Sequence, residues 1–138
     1  MCIDEKEMKI YLIGGWDGRQ DLADYWEYDI ATKKWICHSE DISLSGGPSA
    51  RSCHKICLDP VYKRIYMMGR YVDAETKESS NILPDFYCFE ISSSQWIKIS
   101  DDTFVSRYGS SERAYGTILL TKSNLKLYLI KRGTEVLS

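Results

Sequence analysis

Lys9-Ile10-Tyr11-Leu12-Ile13-Gly14-Gly15 returns as Arg64-Ile65-Tyr66-Met67-Met68-Gly69-Arg70, and again as Lys126-Leu127-Tyr128-Leu129-Ile130-Lys131-Arg132. Each copy runs basic, apolar, Tyr, apolar, apolar. The tyrosines are 55 and then 62 residues apart. A continuous apolar run of this length predicts a strand buried on both faces. Its recurrence at such spacing predicts an array of similar units.

Other elements recur around this strand. Behind it, Asp24-Tyr25-Trp26-Glu27-Tyr28-Asp29-Ile30 matches Asp85-Phe86-Tyr87-Cys88-Phe89-Glu90-Ile91. Apolar residues alternate there at period two, which predicts a half-buried strand. The polar turns Ala31–Lys34 and Ser92–Gln95 follow, and each delivers a tryptophan, Trp35 and Trp96. A short polar turn between two such runs predicts a hairpin. Ahead of the first strand, Arg51-Ser52-Cys53-His54-Lys55-Ile56-Cys57-Leu58 is echoed by Arg113–Leu120, and Cys2-Ile3-Asp4 aligns with Cys57-Leu58-Asp59.

The unit is therefore four strands: an Arg-headed strand, the Ile-Tyr strand, an aromatic alternating strand and a Trp strand. Four strands in about fifty residues is the pattern of a kelch-type propeller blade. The expected fold is all-β, an incomplete propeller of about two four-stranded antiparallel blades. Residues 1–37 form the end of one blade, 51–99 a complete blade, and 113–133 the first two strands of a third. No aromatic or Trp strand follows before Ser138.

Composition narrows the function. The net charge of −2 gives no electrostatic footprint for nucleic acid. No apolar run approaches a membrane span, and the charged N-terminus has no signal-peptide core. Five cysteines at irregular spacing do not read as a disulfide framework, so a cytoplasmic chain with reduced thiols is expected, with the nucleus also open.

Gly14-Gly15-Trp16-Asp17-Gly18, Asp21-Leu22-Ala23-Asp24 and the run Gly47-Pro48-Ser49-Ala50-Arg51-Ser52-Cys53-His54-Lys55 resemble the muskelin family of kelch propellers. So do Gly69-Arg70-Tyr71 and Asp85-Phe86-Tyr87. The resemblance covers roughly residues 1–101. It implies a protein-interaction scaffold, an adaptor or substrate-recognition part of a CTLH (GID-type) E3 ubiquitin ligase. The implied partners are subunits of that complex or a substrate. The family's helical LisH and CTLH regions have no counterpart here, and Lys131-Arg132-Gly133 replaces the glycine pair in the third repeat.

Candidate sites lie mainly in loops. In an antiparallel blade the loops after the second and fourth strands emerge at one end: 16–24, 71–84, 38–50 and 100–112. Loops on a rigid scaffold carry recognition. Trp16 is the candidate anchor, flanked by Asp17, Arg19, Arg70 and Asp73, because Trp and Arg dominate binding hot spots. Packing of Trp16 onto its own sheet is the competing reading. Arg51 is a candidate contact, but with His54 it also reads as a buried pair tying strand to loop. Gly14-Gly15 reads as a backbone device; no Walker residues follow it.

No cofactor, metal site or catalytic group is expected. Cys53 and Cys57 share a face on an extended strand about 13 Å apart, too far for one zinc. Cys37-His38 adds only a weak signal. No nucleophile elbow or zinc-protease motif occurs. Two further classes remain: a truncated product with no independent activity, and, with least support, a small enzyme or metal protein. An open propeller fragment also implies self-association, because both outer sheet faces are wet.

Overall fold

A computed structural model describes residues 1–71, 86–100, 115–120, 127–131 and 136–137, with the backbone alone for Ser100 and the last three stretches. The described residues are built from strands, with one short 3₁₀ turn at Ile42–Ser45 among them. Strands β1 (Cys2–Asp4), β2 (Lys9–Trp16), β3 (Asp21–Asp29) and β4 (Lys34–Ser39) form one antiparallel sheet in that order. Strands β5 (Lys55–Asp59), β6 (Arg64–Met68), β7 (Phe86–Glu90) and β8 (Gln95–Ser100) form a second. A third sheet has the order β11 (Val136–Leu137), β10 (Leu127–Lys131), β9 (Tyr115–Leu120). Its short last strand pairs Ile130 with Val136, one element more than the sequence suggested.

The repeat extends to backbone angles. Met8 and Lys63 end equivalent hairpin turns with φ of 56° and 53°, and Lys33 and Ser94 do the same with 58° and 55°. A left-handed residue closing a type I turn is a common way to join antiparallel strands. In both sheets the carbonyl of that first residue then accepts a bond from the third strand's end: Ile30 N–H to Met8 O and Ile91 N–H to Lys63 O, each 3.0 Å.

Cross-strand register sorts the side chains. In the first sheet Cys2, Tyr11 and Glu27 share one face, joined by Ile13 and Tyr25. In the second, Ile65 pairs Phe89 and Met67 pairs Tyr87. These two faces meet. Tyr11, Ile13, Tyr25, Ile65, Met67 and Phe89 are all buried in one core with Ile42. Tyr25 sets its edge against Phe89 at 5.1 Å and stacks on His38 at 4.9 Å.

Ile42 marks a further device. Sheets that radiate diverge at their outer strands, and the 3₁₀ turn fills that wedge. Asp41 caps the turn through Ser43 N–H, and Gly46 ends it at φ 87°. The next residue, Gly47, lies against Trp96; a Cβ there would sit 3.0 Å from the indole. Trp96 is covered by this connection and by Phe89, 4.7 Å away. Trp35, its repeat counterpart, is 54 % exposed.

Charges are also buried between the sheets. Asp4 on β1 has no exposed side-chain surface, and Lys63 of the second sheet reaches it at 2.6 Å. Asp4 also accepts from Glu7 N–H at 3.1 Å. Burial alone would raise the Asp4 pKa, but Lys63 and the Glu7 amide outweigh it and hold the carboxyl below its usual range. Glu27 is arranged alike: burial opposes ionisation, while Lys9 at 2.6 Å and His38 at 2.9 Å more than compensate.

A carboxylate held below its usual range contributes stability above the unfolded pKa and loses it as pH falls. Asp4→Asn leaves Lys63 only the more distant, half-exposed Glu7 carboxylate at 3.6 Å, so losing the charged hydrogen bond should cost about 2 kcal/mol at pH 7. Urea melts of both proteins should show that gap at neutral pH and show it narrowing below about pH 4. A gap that persists unchanged at acidic pH would mean that Asp4 acts by shape rather than by charge.

Candidate interaction face

One end of the first two sheets holds the candidate residues. It is organised by a crossing of backbones. Gly14, at φ 56°, turns the end of β2, and a Cβ there would stand 2.9 Å from Leu22 O and 3.1 Å from Arg51 O. Met8 takes the same angle, so it is the approach of both carbonyls, which leaves no room for a Cβ, that requires glycine here. The neighbouring Gly15 N–H donates to Arg51 O at 2.9 Å, and Arg51 N–H donates to Leu22 O at 3.0 Å. Residue 51 is thus bonded to the first sheet from both sides.

This corrects the strand read from Arg51 to Leu58. The strand starts at Lys55, because residues 51–54 are drawn toward the first sheet and Cys53 turns at φ 58°. Cys53 therefore lies outside the strand and shares no strand face with Cys57. Among the described residues no group of three or more His, Cys, Asp or Glu side chains converges as a metal site would require.

Arg51 itself is 2 % exposed. Its Nε donates to Ser49 O at 3.0 Å and its Nη1 to Gly69 O at 3.2 Å, with the guanidinium 5.7 Å over the Tyr87 ring. As a partner contact it presents almost no surface; its bonds hold the β4–β5 connection to the end of β6. The adjacent Ser52 O accepts Tyr71 N–H at 2.7 Å, extending the tie one residue past Arg70.

His54 binds across the same seam, its Nε2 lying 2.8 Å from Ile13 O. A carbonyl only accepts, so Nε2 carries the proton. Nδ1 is then bare, buried and without a hydrogen-bond partner among the described residues. Burial pushes the His54 pKa down to about 4 against the Ile13 bond, which favours the charged ring; the Arg51 charge lowers it further.

The exposed part of this end is the β2–β3 loop. It is shorter than the 16–24 read from sequence: Trp16 pairs with Asp21, so only residues 17–20 lie between the strands. Asp17 closes the loop, its Oδ1 accepting Arg19 N–H at 2.7 Å and Gln20 N–H at 2.8 Å. Those amides hold its carboxyl below the usual range. Gly18 sits at φ 98° within the turn. Trp16 is 60 % exposed, so it does not fold back onto its sheet, and Arg19 is exposed beside it.

Arg70 is half-buried at the end of β6, and the following Tyr71 is 51 % exposed. Tyr71 adds an aromatic that loop reasoning did not select; its signal was its place directly after the strand-ending Gly69-Arg70 pair. Asp73 and Arg113, most of the 71–84 loop and the 100–112 loop beyond Ser100 lie outside the described residues. The structure thus places Trp16, Asp17 and Arg19 together on one tight turn and sets Arg51 in the seam beneath.

These strands carry a recognisable signature. Residues 9–37 match the Kelch motif. That stretch holds β2, β3 and most of β4, and so includes the glycine pair of the crossing. The chain is also similar to Mei4-dependent protein 6 of Schizosaccharomyces pombe (strain 972 / ATCC 24843), 34 % identical over 105 residues. Those residues are 75 % of this chain and 14 % of that relative's length. With the sheet topology, the motif makes the fold all-β, a kelch-type propeller fragment. No described helix is long and apolar enough to cross a membrane.

A histidine kept neutral in the fold but free to charge when unfolded penalises folding as pH falls. The window runs from the ordinary value near 6.5 down to about 4. Over that window the wild type should lose on the order of 2–3 kcal/mol through this group. His54→Gln, which keeps a donor toward Ile13 O, should flatten the pH profile of urea-melt stability between these limits. An equally steep profile in the variant would assign the acid sensitivity to other groups.

Proposed function

We propose that this chain is a protein-interaction scaffold and that its partner contacts centre on the tight turn bearing Trp16, Asp17 and Arg19. The observation that supports this most directly is the exposed indole of Trp16 on a loop fixed by three short-range hydrogen bonds. A large aromatic held in place loses little conformational entropy on binding, which is the property of a hot-spot anchor. Arg70 and, by its place in the sequence, Asp73 are the further candidate contacts, and Arg51 supports the turn from the seam. We read 1–37, 51–99 and 113–133 as successive blades presenting this end.

The finer reading is an adaptor or substrate-recognition role in a CTLH-type ubiquitin ligase, with subunits of that complex or a substrate as partners. It rests on the resemblance of Gly47–Lys55 and the flanking glycine motifs to muskelin-type repeats. The same reading makes the protein a non-enzymatic cytoplasmic or nuclear component without a cofactor. Nothing in the name of the Schizosaccharomyces pombe relative speaks for or against it.

The test is quantitative affinity capture against purified CTLH subunits. Trp16→Ala and Arg19→Ala should each weaken capture about tenfold, close to 1.4 kcal/mol, with the thermal midpoint unchanged. Binding that survives both changes would remove the turn as the contact. Failure of every CTLH subunit to bind the unaltered chain would remove the ligase assignment while leaving the scaffold reading open to other proteins.

A further inference from the structure

In both complete sheets the second strand leads to an exposed aromatic at the same repeat position. Trp16 lies five residues past Tyr11, and Tyr71 five residues past Tyr66, each behind a Gly14-Gly15 or Gly69-Arg70 pair. Trp16 is 60 % and Tyr71 51 % exposed. Tyr71 follows a strand of the middle sheet, whose β5 contacts both β1 and β9, so exposure goes with the repeat position and not with the sheet's place in the series.

The two rings are carried at a fixed separation. Gly15 N–H donates to Arg51 O at 2.9 Å, and Tyr71 N–H donates to Ser52 O at 2.7 Å. Both backbones are thus pinned to one dipeptide in the seam. Sheets packed face to face stand about 10 Å apart, and equivalent positions on them are separated by about that distance. A polyproline II helix rises about 3.1 Å per residue with three residues per turn, so one side returns every ~9.3 Å. Residues i and i+3 of such a helix therefore reach one ring each. An extended strand brings a side back at about 6.6 Å and misses the second ring. Aromatic-lined grooves suit proline because the ligand is already ordered before it binds.

Charge narrows the ligand further. Arg19 is exposed on the turn beside Trp16, and Arg70 directly precedes Tyr71. The carboxylate of the turn, Asp17, is taken up by the Arg19 and Gln20 amides, and that of Asp24 by the Trp26 indole. Asp21 is half-buried and acts on His54. Guanidinium groups thus flank both rings, and carboxylates beside the prolines would complement them.

We propose that Trp16 and Tyr71 together bind an acidic, proline-rich segment of a partner protein, laid in polyproline II form across the seam with one proline on each ring. Trp16 is shared with the scaffold reading, on which this rests; Tyr71 and the chemistry of the ligand are added to it.

The probe is an oligoproline flanked by glutamates, titrated into the isotope-labelled full chain and followed by amide NMR shifts. The Gly15, Trp16 and Tyr71 amides should shift and saturate. Trp16→Ala and Tyr71→Ala should each weaken binding about tenfold, with circular dichroism unchanged because both rings lie at the surface. Lysines in place of the flanking glutamates should weaken it several-fold. No saturation by about 1 mM peptide would overturn the proposal. So would equal binding of an alanine-rich helical peptide carrying the same glutamates, or a Tyr71→Ala chain that binds as well as the wild type. If capture of a CTLH subunit depends on Trp16 while the oligoproline does not bind, the scaffold reading stands and the ligand assignment alone falls.

Discussion

The fold depends on one close approach. Two strand ends of the first sheet and the segment entering the second meet at Gly14, where three backbones pass within contact of a missing side chain. The Gly15 and Arg51 amides then bond across the gap. Everything at this end inherits its position from that crossing. Arg51 is placed to reach Gly69, His54 to reach Ile13, and the β2–β3 turn to project Trp16. A sheet edge cannot satisfy its last amides alone. Here the neighbour's incoming chain satisfies them, so the angle between sheets is fixed by hydrogen bonds and not only by packing.

Buried charge plays the matching role at the opposite end. The aromatic core would tolerate small slides of one sheet on the other, since dispersion is non-directional. The Asp4–Lys63 pair does not tolerate them. Beyond the amides of its own turn, this carboxylate with no exposed surface is paired with one cation, Lys63, and a slip would leave its charge uncompensated at a cost of about 3–5 kcal/mol. Lys63 can serve because its left-handed turn, shared with Met8, aims that hairpin tip back at the first sheet. The same position in the first sheet holds Met8, so the lysine of this device is not shared by the first two sheets.

Much of this was legible in the residues. The Tyr11 and Tyr66 runs gave strands because apolar continuity and terminal glycines admit few other structures. Trp35 and Trp96 marked the outer strands because a polar turn preceded each at the same distance. The misjudged segments share a cause. Arg51–His54 looked like a strand because its apolar continuation is one, yet its amides are claimed by another sheet, a long-range effect that local pattern does not carry. The loop beginning at Trp16 looked long because Asp21 and Asp24 are poor strand formers. Pairing with Trp16 and the Asp24 bond to Trp26 Nε1 at 2.7 Å bring both into the sheet. Burial of Arg51 was open between two readings, and only the carbonyls of Ser49 and Gly69 decide it.

The two outer tryptophans carry the last step. Each follows a polar turn and precedes an isoleucine, and each ring packs on the aromatic beside it: Trp35 on Tyr28 at 4.9 Å, Trp96 on Phe89 at 4.7 Å. What differs lies outside the sheet. Trp96 is roofed by Gly47 and Ile42, which arrive from the connection between sheets; Trp35 has no such roof among the described residues. A repeat sequence therefore encodes a demand as well as a structure. Each sheet carries the residues to be covered, and the cover comes from the unit beside it. Burial in such an array is a property of the interface. A blade motif read in isolation gives the strand and the ring, and the neighbour decides whether that ring becomes core or contact.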